Sequence, residues 1–185
     1  MEIKNLTKKF GNKLIFNNFS IKIPDRKVTY IMGESGCGKT TFLRILIGLD
    51  KDYSGEIKGV DGKISCVFQE PRLFPSLSVI GNLQLVEKGT RYTATEILSL
   101  VELEKDVYLY PKELSGGMKM RLSLARALYY NGDIFVMDEP FSALDEELKE
   151  RLLPKIFELL KDKTVIIVSH NFTEANTYGE NIIKL

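Results

Sequence analysis

The sequence predicts an α/β fold, a sheet with parallel pairing into which a helical segment of about 50 residues has been inserted. Three observations carry this expectation. The apolar run Val28–Met32 is followed by a Gly-rich loop and then a helical pattern, as for a strand buried on both faces that feeds a helix. Two later runs, Ile134–Met137 and Thr164–Ser169, have the same apolar character, with a helical pattern from about Asp145 to Leu160 between them. Between roughly residues 76 and 131 the apolar spacing becomes helical.

Taken in order, Leu14, Phe16, Phe19, Ile21 and Ile23 are spaced for a half-buried strand, and Pro24-Asp25 turns the chain. After Val28–Met32, a helix is expected from Thr41 to Leu49, ending at Gly48 or soon after. Gly55–Phe68 reads as a second strand region broken by the turn signal Asp61-Gly62. Helices are expected over Leu77–Val86, Thr95–Leu103 and Gly116–Tyr130, and a short strand over Asn181–Leu185. With no internal repeat, low-complexity tract or linker, residues 1–185 are expected to form one domain.

Composition excludes several classes of function. There are 26 Lys and Arg against 25 Asp and Glu, a net charge of +1, and 44% of residues are hydrophobic. That balance fits an ordinary globular chain and argues against a general grip on nucleic acid, which needs many unpaired cations on one face. Cys37, Cys66 and a single histidine are too few for a Cys/His zinc site or a disulfide framework. The opening MEIKNLTKKF lacks the apolar core of a signal peptide, and no stretch reaches 18 apolar residues. A cytosolic, reducing setting is therefore expected.

The most specific motif is Gly33-Glu-Ser-Gly-Cys-Gly-Lys39-Thr40, which fits G-x-x-x-x-G-K-[ST] between a strand and a helix. Glycines let successive backbone N–H groups curl around phosphate oxygens, and the helix N-terminus adds partial positive charge. Lys39 supplies a cation to the β- and γ-phosphates, and the Thr40 hydroxyl can ligate Mg²⁺. The plainer alternative is a Gly-rich strand-to-helix turn. Cys37 is read as a small residue tolerated in this loop, with steric block of nucleotide binding on alkylation as the alternative.

A second feature is Ile134-Phe-Val-Met-Asp138-Glu139, an apolar strand that delivers two carboxylates at its C-terminal end, where open α/β sheets place their ligands. Asp138 would orient Mg²⁺ or its water, and Glu139 would polarise an attacking water. Alternatively, the pair caps a turn before Pro140. Leu114-Ser-Gly-Gly-Met-Lys-Met-Arg121 then opens a long helix with a second set of anion-binding backbone donors. One nucleotide hardly needs two such helix starts from one chain.

At this point the sequence resembles the ATP-binding cassette (ABC) family over nearly its whole length, with the family's motifs in order. Phe10 matches the aromatic that stacks on adenine. Gly33, Glu34, Ser35, Gly36, Cys37, Gly38, Lys39 and Thr40, followed by Thr41, match the nucleotide-binding Walker A segment. Gln69 matches the Q-loop glutamine; Ser115, Gly116, Gly117 and Met118 the signature; Asp138 and Glu139 the Walker B pair. Ser142-Ala-Leu-Asp145 matches the D-loop, and His170 the switch histidine.

The resemblance implies a P-loop NTPase (RecA-like) core with an N-terminal antiparallel β subdomain and an α-helical subdomain inserted at approximately 76–131. It also implies ATP and Mg²⁺ as cofactors, and a head-to-tail homodimer with each ATP between one Walker A loop and the partner's signature. Glu139 is then the general base, helped by His170 and Gln69, while Thr40, Gln69 and Asp138 attend Mg²⁺, Asp138 directly or through water. Further expectations are separate transmembrane permease subunits, an extracytoplasmic solute-binding protein, no nucleic acid partner, and a peripheral place on the inner face of a prokaryotic cell membrane.

Three roles compete: a transporter's ATPase subunit, a soluble non-transport ABC ATPase such as those of iron–sulfur assembly, and a low-turnover nucleotide-binding module. Only 45 residues separate Gln69 from Ser115, which leaves no room for a long coiled coil. Gln69-Glu-Pro-Arg-Leu-Phe-Pro75, together with LSGGM, looks most like importers of the nitrate, sulfonate and taurine group, which favours the first role. Arg72, Leu73, Phe74 and Leu77 would then line a groove for a permease helix, or else pack the helical subdomain. The departures are Met118 and Met120 where Gln is usual, and Asn171 where Asp is frequent after the histidine. Fifteen residues follow His170, so no C-terminal regulatory segment is expected.

Overall fold

The strands fall into two sheets in the computed structural model, which describes residues 1–185. The smaller sheet is antiparallel and consists of β1 (Glu2–Phe10), β2 (Lys13–Lys22) and β4 (Ser54–Lys58), with β1 in the middle. The larger is entirely parallel, in the order β5 (Ile64–Val67), β6 (Ile134–Asp138), β7 (Thr164–Val168), β3 (Val28–Met32), β8 (Asn181–Lys184). Helix α1 (Lys39–Leu46) follows β3. Helices α2 (Val79–Gln84), α3 (Ala94–Leu100) and α4 (Gly116–Tyr130) lie between β5 and β6. Helix α5 (Glu146–Leu159) joins β6 to β7, and α6 (Phe172–Tyr178) joins β7 to β8.

The expected segments are present with shifted ends, one reading needs correction, and two further elements, β1 and α6, are present. Gly55–Phe68 is not one strand region with a turn: β4 pairs with β1 in the small sheet, and β5 pairs with β6 in the large one. The Asp61-Gly62 signal marks a crossing between sheets. Residues 2–10 form a strand the pattern did not show, because its buried side chains fall at Ile3, Leu6 and Lys8 rather than at alternate positions. Register shifts near Leu6 and a left-handed Asn5 (φ 53°) break the period of two. The polar helix α6 also went unread, although Asn171 caps it by accepting from Glu174 N.

Helix starts are fixed by side-chain caps that satisfy otherwise orphaned N–H groups. Ser78, Ser115 and Asp145 cap α2, α4 and α5, and Thr93 with Glu96 forms a reciprocal capping box on α3. Helix α1 starts instead at a left-handed Gly38 with no side-chain cap, so no side chain there satisfies its first N–H groups.

Strand residues on β6 and β7 alternate between two apolar clusters, as the pleat requires. Phe135, Met137, Val165 and Ile167 join the larger cluster with α4, α5 and the inserted helices. Ile134, Val136, Ile166 and Val168 join the smaller one with α1 and the antiparallel sheet, through Ile3, Leu6, Phe16 and Phe42. Both faces of the central strands are thus covered, which holds the carboxyl ends of β3, β6 and β7 in fixed relation.

A buried polar residue shapes the loop after Gln69. Asn82 on α2 is fully buried; its Nδ2 donates to Phe74 O (3.0 Å), Leu77 O (2.9 Å) and Ser78 O (3.1 Å), and its Oδ1 accepts from Phe74 N (2.7 Å). Asn82→Ala leaves these backbone groups without partners, so a loss of about 2–4 kcal/mol is expected in urea denaturation.

Candidate active site

The loop between β3 and α1 turns through two left-handed glycines, Gly36 (φ 81°) and Gly38 (φ 108°). Lys39, the first residue of α1, folds back so that its Nζ donates to Gly33 O (2.7 Å) and Glu34 O (2.8 Å). The ammonium therefore lies across the loop, with a third N–H left for an anion. Next in the chain, Thr40 Oγ1 donates to Asp138 Oδ2 at 2.7 Å, joining the start of α1 to the end of β6.

Asp138 is buried, and its carboxyl is pushed above the usual carboxylate range, first by burial and further by Glu139, against the lowering effects of Thr40 and Lys39. The donors gathered beside it are oxygens: the Thr40 hydroxyl, the Asp138 carboxylate and, in the same cleft, the Gln69 amide. Such a set suits Mg²⁺ rather than a softer ion. No three His, Cys, Asp or Glu side chains are grouped to hold a metal ion, so a cation here needs further oxygens, as phosphates provide.

Glu139 follows Asp138 with a left-handed backbone (φ 49°), a strained conformation for a residue with a Cβ. Its N–H donates to Val168 O (2.9 Å), and its carbonyl accepts from Ser142 Oγ (2.9 Å). The turn aims the carboxylate back into the cleft, where Glu139 Oε1 lies 2.8 Å from His170 Nδ1. The His170 side chain is 74% exposed and that of Glu139 only 13%, so the pair joins a sheltered carboxylate to a solvent-facing imidazole.

These groups line one open cleft of about 540 Å³. It brings together Ser35, Gly36, Gly38, Lys39, Thr40, Thr41, Gln69, Asp138, Glu139 and His170, all singled out from the sequence. Gly33, Glu34 and Cys37 belong to the same loop but not to the cleft wall. Ile15 and Ser142 line it and were missed as site residues. Ile15 reads as one apolar residue among several in a strand, but a Cβ placed on Gly38 would come within 2.6 Å of its Cγ2. Ser142 opens the D-loop motif, and its place at the cleft follows from the turn at Glu139, to whose carbonyl its Oγ donates.

The remaining candidates lie outside the cleft. Phe10 is half-exposed at the tip of the β1–β2 hairpin, with Lys8 Nζ 4.6 Å from its ring centre. Ser115 accepts from Met118 N (3.2 Å) at the exposed start of α4, with Gly116 open beside it. A Cβ on Gly117 would stand 3.0 Å from Ala143 O, so this helix start abuts the loop after Glu139. Asp145 Oδ1 accepts from Leu148 N (2.9 Å) as the cap of α5.

Residues 16–142 match the ABC transporter family. The chain belongs to the ABC transporter family. Among ABC relatives, the "Aliphatic sulfonates import ATP-binding protein SsuB 1" of Xanthomonas axonopodis pv. citri is 34% identical over 96% of this chain and 77% of its own length. The protein of the same name from Paracoccus denitrificans is 36% identical over 99% of this chain and 78% of its own. The "Fe(3+) ions import ATP-binding protein FbpC" of Escherichia coli O157:H7 is 34% identical over 100% of this chain and 59% of its own. The solved dimeric bacterial ABC transporter cassette MJ0796 is 32% identical with a TM-score of 0.85, covering 100% of this chain and 93% of that one. Its post-hydrolysis state with ADP and Pi is 33% identical with a TM-score of 0.86 and the same coverage.

Proposed function

We propose that this chain is the ATP-binding and ATP-hydrolysing subunit of an ABC transporter, and that the cleft is its ATP site. The single observation that carries this is the convergence, at the ends of β3, β6 and β7, of a phosphate loop, the Thr40–Asp138 pair and the Glu139–His170 pair. The loop amides and Lys39 bind the phosphates; Thr40, Asp138 and Gln69 would hold Mg²⁺, which when bound neutralises phosphate charge. Glu139 accepts the proton of the attacking water, and His170 holds Glu139 at one oxygen while its exposed Nε2 side reaches toward the γ-phosphate. Phe10 serves as the adenine platform, its second ring face already covered by Lys8.

The exposed signature start at Ser115–Gly117 and Asp145 of the D-loop lie outside the cleft of their own chain. A second copy arranged head to tail gives them a phosphate to bind, and the solved relative is a dimer. For coupling to a permease, the surface beyond Gln69 supplies a dock. Leu73 packs against the larger core, whereas Phe74 (47% exposed), Tyr108 (82%) and Tyr110 (42%) face outward. The backbone of residues 107–109 is hydrogen-bonded to the start of α2, which places those tyrosines beside the loop that Asn82 holds.

Inward transport is supported by the word import in the names of the relatives; in this reading the solute passes from a solute-binding protein through the permease, with this subunit on the inner face of the membrane. No helix of the chain is long and apolar enough to cross a membrane. Relatives named for aliphatic sulfonates, 34% and 36% identical, and one named for Fe(3+), 34% identical, resemble it to nearly the same degree, which supports selection of the solute by the permease and binding protein.

Purified protein is expected to release phosphate from ATP only when Mg²⁺ is supplied; absence of release from the folded, permease-bound protein counts against the assignment. Phe74→Glu with Leu77→Glu should abolish copurification with the permease while the isolated subunit keeps its fold and nucleotide affinity. A retained complex would remove this surface from the dock.

A further inference from the structure

The two loops that carry Glu139 and His170 are tied together at a second place, away from the cleft. Helix α5 follows the loop after Glu139, and its Lys149 is buried together with Glu174 of α6, the helix that follows His170. Lys149 Nζ lies 2.9 Å from Glu174 Oε1 and 2.9 Å from Glu146 Oε1. Glu174 Oε1 also accepts from Asn171 Nδ2 (3.0 Å), while Asn171 Oδ1 accepts from Glu174 N (3.1 Å) and Asn171 N donates to Ser169 Oγ (3.0 Å). A continuous polar chain therefore runs from the residue after His170, through Glu174 and Lys149, to Glu146, the residue after Asp145.

The burial of this chain makes it directive. Glu174 and Lys149 are each less than a tenth exposed, so each charge depends on the other, and the pair tolerates only a narrow range of separations between α5 and α6. Around it stand Tyr30 on β3 and Tyr178 on α6, whose hydroxyls are pushed above their ordinary range by burial and by the Glu174 carboxylate. Neither tyrosine supplies a cation, which leaves Lys149 as the positive partner. Glu146, in contrast, is 81% exposed at its side chain and adds only a solvent-screened contact.

We propose that the buried Lys149–Glu174 pair is a positioning element that sets the His170 loop against the Glu139 loop, and so determines whether His170 Nδ1 meets Glu139 Oε1. This rests on the ATPase reading for its effect on turnover, but not for its effect on the position of His170. Lys149 and Glu174 line neither the cleft nor the phosphate loop. Their loss therefore acts on the geometry of hydrolysis and leaves phosphate binding alone.

The chain has a single histidine, so its imidazole C2–H proton resonance reports the surroundings of His170 without ambiguity. Five variants are compared in the full chain: Glu174→Gln, Lys149→Met, Lys149→Arg, Glu146→Gln and Glu139→Gln. The first two are expected to move the His170 resonance in the direction seen for Glu139→Gln. They should also lower kcat on the order of tenfold or more while KM for ATP stays within about twofold. Glu146→Gln should leave the resonance and kcat at wild-type values, and Lys149→Arg should restore most of the kcat lost in Lys149→Met. A merely structural pair would lower the melting temperature in Lys149→Met and Glu174→Gln without moving the resonance or kcat below the melt, and that result overturns the proposal. Should Glu174→Gln fail to fold, Lys149→Met decides alone, and a wild-type resonance and kcat there also overturn it. Normal turnover in Glu139→Gln would instead remove the base assignment, while the resonance comparison would still test the pair.

Discussion

Glu139→Gln is expected to bind ATP with near wild-type affinity and to lose turnover by about 10²–10⁴-fold, the range of a general base. The substitution keeps the size and planar shape of the side chain, and the amide oxygen can still accept from His170 Nδ1, across the present 2.8 Å. The left-handed turn at Glu139 is fixed by backbone bonds to Val168 and Ser142 that the substitution does not touch, so the loop should not relax. What disappears is a group basic enough to take a proton from water. Because binding and hydrolysis are separated, the ATP-bound pair of subunits should accumulate. Size-exclusion chromatography with MgATP should show a dimer that wild-type protein forms only transiently. Turnover close to wild type would transfer the base role elsewhere, and His170, the other titratable group in contact with Glu139, would be the next candidate.

The parts of this site that could be read in the sequence are those whose chemistry is local. The phosphate loop needs glycines at fixed spacing, and Gly36 and Gly38 do take up left-handed backbone that other residues resist. The carboxylates appear where an apolar strand ends, and β6 indeed delivers Asp138 and Glu139 there. What escaped reading depends on partners distant in the chain. Lys8 and Lys149 look like ordinary surface lysines, yet both are buried against carboxylates, Asp50 for Lys8 and Glu174 for Lys149. Asn82 reads as a polar interruption of a short amphipathic helix, whereas it shapes the loop from Phe74 to Ser78. The strand β1 was hidden by its bulges, since periodicity detects only regular alternation. Ile15 touches the phosphate loop only because β2 is laid over it by the fold.

That contact underlies the second large effect. Gly38→Ala is expected to lower ATP affinity by about 10–100-fold, through displacement of the loop, and to cost about 2–4 kcal/mol of stability. Two causes add. At φ 108° a residue with a Cβ is strained, and the added carbon would stand 2.6 Å from Ile15 Cγ2 and 3.0 Å from Phe16 Cζ. Ile15 is β-branched and stiff, and Phe16 is buried edge-on to Phe42 of α1 at 6.1 Å, so neither neighbour yields freely. The loop must therefore lift, carrying with it the first N–H groups of α1, the proposed phosphate donors. Gly36→Ala separates the two causes: its φ of 81° is also left-handed, but the added Cβ meets nothing within 4 Å. It should cost only the backbone strain, about 1–2 kcal/mol. Thermal unfolding and titration with a fluorescent ATP analogue should rank the variants as wild type, Gly36→Ala, Gly38→Ala. Adding Ile15→Ala to Gly38→Ala should recover part of the lost affinity, because it removes the nearest atom. If it recovers none while Gly36→Ala binds as poorly as Gly38→Ala, backbone strain alone controls the loop, and Ile15 is a bystander at the cleft wall.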